Sequence, residues 1–350
     1  MKFSQAEALD LGTTLLLERR VPKPAAELQA QVLVEAELKG HPSHGLQRLP
    51  RLLERLERGL ADPTATGLAH WRSDAFLAVD GQRGLGPIVA QAALQQLAAR
   101  VGGTGIALAA IRNSNHLGML AWYVEQAAAR GLIGIALSSS EALVHPHGGT
   151  RALLGTNPVA IAVPTASRPL VLDLATSIVS MGKIHHFAAL GRALPEGWAR
   201  DAEGRPTRHA EHAKRGSIAP FGEAKGYGLG IAIELIVASL ARSALAPSIG
   251  GTLDAQQVCN KGDVLIVIDA AADPGLAGQL ADYLDQVRDS PPASPGEPVR
   301  VPGDGAAERR DASLRDGFDI SPALLAELRS LARGRSPSPI PHLTHQGHDL

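Results

Sequence analysis

Five short segments of the chain gather residues able to move protons or hold anions. Gly40–Arg51 reads GHPSHGLQRLPR and sets Ser43, His44, Arg48 and Arg51 where a loop enters a helix. A neutral imidazole takes a hydroxyl proton near pH 7, and an arginine one turn on holds a carboxylate with paired N–H bonds. The same residues also read as a capping serine, a packed histidine and solvated arginines. Ile111–Tyr123 ends an apolar run in Asn113, Ser114, Asn115 and His116, ahead of Gly118 and a helix. Strand ends and helix N-termini favour ligands, although a simple Asn/Ser cap fits too. His145–Pro164 carries Gly148, Gly149, Thr156 and Asn157, which offer backbone donors to a phosphate or form two turns.

The fourth segment, Leu170–Phe187, puts Asp173 at the end of an apolar strand, where a carboxylate needs a partner. His44 would supply one and gain a fixed tautomer; alternatively Asp173 caps the following turn. In the fifth, Ala219–Leu240, Lys225 opens an apolar helix through Gly226, Gly228 and Gly230. That glycine run lacks the preceding strand of a dinucleotide fingerprint, and Gly102–Ala107 stands before a strand rather than after one. The residues alone therefore imply an α/β protein with a ligand site and no Rossmann signature.

Three helices are expected first, over residues 4–20, 24–39 and 46–59, the first opened by a Ser4/Glu7 capping box. Short apolar runs then alternate with helices. Strands are predicted at 76–79, 105–111, 132–137, 159–163, 169–174 and 263–269, and helices at 87–101, 117–130, 225–242 and 275–288. Residues 196–221 and 290–310, rich in Pro, Gly and charge, read as a long loop and a link. A last helix follows Ser321 as cap and Pro322 in its first turn. This divides the chain into a helical domain over 1–70, completed by 311–334, a mixed α/β body over 71–310, and a tail over 335–350 of disordered composition.

Composition removes several classes of function. With 34 Lys+Arg against 35 Asp+Glu and 3% aromatic residues, the chain has neither a field for nucleic acid nor a stacking platform. A single cysteine, Cys259, excludes an internal disulfide and fits a reducing compartment. The N-terminus does not read as a signal peptide and no apolar stretch reads as long enough to span a membrane, so a cytoplasmic, membrane-free protein is expected. The 13 histidines include His145-x-His147, His185-His186 and, in the tail, His342, His345 and His348, but no His-Glu-x-x-His helix completes a metal sphere. A metal-dependent hydrolase is thus disfavoured and no metal is expected.

Together the five segments resemble the type 2 malate/L-lactate dehydrogenase family. Ser-His-Gly with Arg48-Leu49, Ser-Asn-His-x-Gly, Gly-Thr-Asn-Pro, Leu-Asp-x-Ala-Thr-Ser with Gly-Lys-Ile, and Lys-Gly-Tyr-Gly occur in that family's order and spacing. The resemblance implies a non-Rossmann mixed-sheet domain that binds NAD or NADP, beside a helical domain, in a homodimer. It implies His44 as acid/base with Asp173 as its orienting partner, and Ser43, Arg48 and His116 around the substrate. His116, Gly118, Gly149, Asn157, Thr176, Lys183 and Lys225 would line the cofactor. The implied reaction moves a hydride between nicotinamide and a small 2-hydroxy or 2-oxo acid of malate, lactate or sulfolactate type. Reduction of cyclic imino acids of piperideine-2-carboxylate type is the alternative on the same scaffold. Three positions depart from the family pattern: Arg208 and His209 after Pro206-Thr207, Leu52 in place of an aromatic, and the pair His185-His186.

Overall fold

The structure, a computed structural model, describes residues 1–270 and 274–333. The first three helices form where expected: α1 (Gln5–Leu17), α2 (Lys23–Leu38) and α3 (Leu49–Glu57). Both halves of the Ser4/Glu7 capping box are made. Leu46–Arg48 is a separate 3-10 turn, so the predicted third helix is split. Leu15 and Leu16 of α1, Leu33 of α2, and Leu49 and Leu53 of α3 close on one another. The last helix, α10 (Pro322–Arg333), adds Leu325 and Leu328 to that core and is capped by Ser321 Oγ, which accepts from Leu324 N at 3.1 Å. Two-residue strands, Lys2–Phe3 and Phe318–Asp319, pair antiparallel and bring the two ends of the described chain together.

The body is a seven-stranded sheet. In chain order its elements are β1 (Leu68–Ser73), β2 (Phe76–Asp80), α4 (Gly86–Thr104), β3 (Ile106–Arg112), α5 (Ala121–Ala128), β4 (Leu132–Ser138), β5 (Val159–Val163) and β6 (Leu170–Leu174). They continue with α6 (Met181–Ala189), α7 (Ala224–Ala241) and β7 (Gly262–Asp269), and the helices α8 (Pro274–Arg288) and α9 (Asp304–Asp316) follow. The strand order is β1-β2-β3-β7-β4-β5-β6. Only β2 and β3 run parallel, joined through α4 as a crossover needs a helix; the other neighbours are antiparallel. Alternation along β7 splits its side chains: Leu265 and Val267 face α4 and α5, whereas Val264 faces Ile233 and Val237 of α7.

Four expectations need correction. β1 was not anticipated, because it is a largely exposed edge strand with no apolar alternation to betray it. Residues 196–221 are not a bare loop: strands Ala199–Arg200, Pro206–Thr207 and Ser217–Ile218 form a small sheet beside a helical turn, Ala210–Ala213, over buried Leu194, Ala199, Ala213 and Ile218. The supposed link contains the start of α9, whose first residue, Asp304, takes both Arg288 Nε and Nη2 at 2.9 Å. Finally, α7 is 18 residues long with a mean hydropathy of 1.4, long and apolar enough to pass as a span. One face of it nonetheless packs on the sheet through Ile233 and Val237. The predicted tail over 335–350 lies outside the described residues.

Candidate active site

The first two segments meet. His44 ends a 3-10 turn, Pro42–His44, and its ring stacks on His116 with centroids 5.4 Å apart and planes 17° from parallel. Burial, then the Arg48 and His41 charges, pull His44 down to about 3, so its ring is neutral at pH 7 and carries a free lone pair. Its Nδ1 is buried and has no hydrogen-bond partner among the described residues. His116 lies well below the usual histidine range for related reasons: burial first, then Arg48, His44 and Lys261. Gly118 N donates to His116 Nδ1 at 3.0 Å, which leaves the proton of the neutral ring on Nε2. Gly118 can do so because it has φ +81°, and a side chain there would collide with Val32 of α2.

Arg48 donates from Nε to the Ser43 carbonyl at 2.7 Å, so the guanidinium folds back over the loop that carries His44. Ser43 in turn faces the start of α6: a Cβ on Gly182 would lie 3.1 Å from Ser43 Cβ. The first, second and fourth segments therefore converge on Ser43, His44, Arg48 and His116.

Asp173 is placed differently from expectation. Its Oδ2 accepts the Ala121 amide at 2.8 Å, at the N-terminus of α5, and the charges that bear on it are Glu125 and Lys39. Burial pushes its carboxyl up to about 6. The expected bond to His44 is not made: Asp173 caps α5, and His44 Nδ1 has no partner among the described residues.

The remaining candidates form a second group. Asn157 is fully buried; its amide donates to Gly230 O at 3.0 Å and Glu234 Oε2 at 2.8 Å. Thr176 Oγ1 donates to Thr156 O at 3.0 Å, and a Cβ on Gly230 would come 2.8 Å from it. Gly226 and Gly230 of α7 thus let the helix close on the Phe221 carbonyl and on Thr176, a packing task, whereas a Cβ on Gly228 would meet nothing within 4 Å. Gly149 closes a turn on the Pro146 carbonyl at 2.8 Å. Lys183 and Lys225 are exposed in the first turns of α6 and α7, with Ser180 capping the former. Among the departures, Arg208 donates to Leu194 O at 3.1 Å, and His209 stacks on His212 with centroids 5.0 Å apart. His185 and His186 are exposed. No group of histidine, cysteine or carboxylate among the described residues could hold a metal.

Several charged residues that organise the site escaped the sequence reading. Arg55 donates to Asn115 Oδ1 at 3.0 Å and to the Asp254 and Gln257 carbonyls at 2.9 and 3.0 Å, tying α3 to the His116 loop. Glu141 takes the Thr252 and Leu253 amides at 2.7 and 3.1 Å. Lys261 and Asp263 form a buried ion pair whose acid also accepts from Ser138 Oγ at 2.6 Å. Glu37, on α2, accepts the Leu46 amide at 2.7 Å. Only Glu37 left a trace in the sequence, a polar residue on the stripe Ala26, Ala30, Leu33.

Comparison with known proteins places this architecture. The chain aligns with a solved dehydrogenase from Sinorhizobium meliloti at a TM-score of 0.92 and 56% identity, covering 95% of this chain and 98% of that one. It is 31% identical to the L-sulfolactate dehydrogenase of Methanothermobacter thermautotrophicus, with 95% of this chain and 97% of that protein aligned. It is also 31% identical to a Δ1-pyrroline-2-carboxylate/Δ1-piperideine-2-carboxylate reductase of Pseudomonas syringae pv. tomato, over 94% and 96% of the two chains. The family description malate/L-lactate dehydrogenase matches residues 3–329. The chain is an oxidoreductase and belongs to the malate/L-lactate dehydrogenase family.

Proposed function

We propose that the protein transfers a hydride between NAD or NADP and a small 2-hydroxy or 2-oxo acid, with His44 as the acid/base. The observation that carries this reading is the neutral His44 ring, stacked on His116 beside a partly buried arginine. In oxidation, His44 accepts the proton of the 2-hydroxyl; in reduction, the protonated ring returns it to the carbonyl oxygen. Arg48 holds the substrate carboxylate with Ser43 beside it, and His116 presents its Nε2–H to the reacting oxygen. A carboxylate on Arg48 cancels one of the charges that depress His44, so acid binding itself raises the affinity of the ring for a proton.

The residues present suit a dinucleotide. Lys183 and Lys225 stand exposed in the first turns of α6 and α7, where their ammonium groups and the helix dipole favour a pyrophosphate. The bound nicotinamide would supply the hydride chemistry, and the chain supplies orientation and proton handling. Gly149 lies alongside, and Gly118 acts through the His116 ring that its amide holds, in a site that does not depend on a glycine-rich turn between a strand and a helix. Asn157 and Thr176 support that site from behind through α7, and Asp173 orients the His116 loop through the first turn of α5.

We place the protein as a homodimer in the cytoplasm. Leu229, Ile231, Leu235 and Ile236 expose one apolar face of α7, which a second copy would cover, and the lone cysteine is buried. Reduction of a cyclic imino acid is the second reading, favoured by the likeness to the pyrroline/piperideine-carboxylate reductase. The test is loss of nicotinamide absorbance, with NADH and NADPH separately, across pyruvate, oxaloacetate, sulfopyruvate, a diketo sugar acid and piperideine-2-carboxylate. Turnover of one oxo acid supports the reading and fixes the cofactor, turnover of the imine alone promotes the second, and silence on all five removes both.

A further inference from the structure

The loop that carries His44 and Arg48 has little structure of its own: two 3-10 turns, Pro42–His44 and Leu46–Arg48, joined at Gly45. It is strapped to the end of α2. Gly40 N donates to Glu37 O at 2.9 Å and His41 N to Ala36 O at 2.8 Å. On the far side of His44, the Leu46 amide donates to Glu37 Oε1 at 2.7 Å. Glu37 is 6% exposed, and its carboxyl fills the space where a Gly45 side chain would be: a Cβ there would overlap Oε1, Cδ and Cγ. Gly45 has φ −96°, so the glycine is not demanded by a left-handed backbone. It is demanded by the acid beneath it.

From this we infer that Glu37 is the positioning residue of the active-site loop, and that the glycine of Ser-His-Gly exists to let its carboxyl pass under the backbone between His44 and Leu46. Glu37 touches no reacting atom. It acts through the Leu46 amide, which fixes the height of the loop and so the reach of His44 on one side and Arg48 on the other. This rests on the reading of His44 as acid/base, but the strap itself does not.

The test is a cycle of Glu37→Ala, Gly45→Ala and the double variant, with Glu37→Gln as the conservative control. Glu37→Ala should lower kcat by about 100-fold, the cost of roughly an ångström of misplacement, with the cofactor KM unchanged. Glu37→Gln keeps an oxygen for the Leu46 amide and should recover most of that loss. Gly45→Ala should be as damaging as Glu37→Ala, and the double variant no worse than either, because removing the acid makes room for the methyl. Losses that multiply in the double variant, or a Glu37→Ala enzyme with unchanged kcat, would overturn the inference. Hydrogen exchange of the Leu46 amide, slow in the unmodified protein and in Glu37→Gln and fast in Glu37→Ala, reads the strap without any turnover. Protection that persists in Glu37→Ala sinks the inference whatever the activity, whereas the expected pattern in a protein inert on every acid sinks only the functional reading.

Discussion

Asn157 offers a sharp test of whether this site has been read correctly, because its type and place suggest a cofactor ligand and its bonds suggest a bracket. Replacing it with alanine removes a bond to the buried acid Glu234, worth about 1.5–3 kcal/mol, and one to the Gly230 carbonyl, worth about 0.5–1.5 kcal/mol. Glu234 keeps the Ala246 and Gly155 amides, at 2.5 and 3.3 Å, so it is not stranded and the two losses set the scale. Alanine also inherits φ +33°, which side chains other than Asn and Gly tolerate poorly. The expected cost is about 2–4 kcal/mol, a fall in Tm of roughly 3–5 °C in a chain of this size. Thermal denaturation followed by circular dichroism measures that, and fluorescence titration with NADH and NADPH measures the other possibility. Destabilisation with cofactor affinity nearly intact is expected. An unchanged Tm with weakened cofactor binding would show that the amide faces ligand and that the bonding described above is not what holds α7.

Three further outcomes follow from charges and exposed surface. Glu37 has a carboxyl raised from 4.5 to about 7 by burial, so it favours the fold below its unfolded value and that contribution disappears as pH rises through 7. Glu37→Gln should therefore flatten the loss of stability between pH 5 and 8 by an amount on the order of 3 kcal/mol, read from urea midpoints at each pH; an unaltered slope refutes the placement. His44 has the opposite sign: depressed to about 3, it favours the fold above 6.5 and that support drains away as pH falls toward 3. Arg48→Gln should raise the His44 pKa, seen by ring-proton NMR against pH, and raise the substrate KM; an unmoved titration would take Arg48 away from the ring. Leu235→Asp on the exposed face of α7 should give a monomer in light scattering, and a dimer that survives would mean a different face is covered.

How far the sequence foretold the site depended on where each residue finds its partners. Ser43, His44, Arg48 and His116 were legible because each lies in a polar cluster at the end of an apolar element, and that local contrast survives in one dimension. The sheet was legible for a related reason, since runs such as Val159–Val163 and Leu132–Ser138 are bounded by turn residues. Arg55 was not: its acceptors Asn115, Asp254 and Gln257 are brought to it only by the fold, up to 202 positions away. Asp263 sits in the central strand β7 and Lys261 just before it, where their ion pair looks, in sequence, like a solvated edge. The pairing of Asp173 with His44 is not seen, because the fold brings the carboxylate to the Ala121 amide of α5, a partner that the sequence does not reveal. The strand β1 and the small sheet over 199–218 were hidden by exposure and shortness, which leave no periodicity to detect.

The central claim is that His44 handles the proton. The direct measurement is steady-state kinetics of His44→Gln on whichever acid the unmodified protein turns over, alongside cofactor affinity by fluorescence titration. Glutamine keeps the size and polarity of the ring but cannot take a proton near neutral pH, so kcat should fall by about 10²–10⁴-fold while cofactor affinity changes little. A variant that retains its kcat would show that another group moves the proton, and the stacked neighbour, His116, would be the first residue to replace.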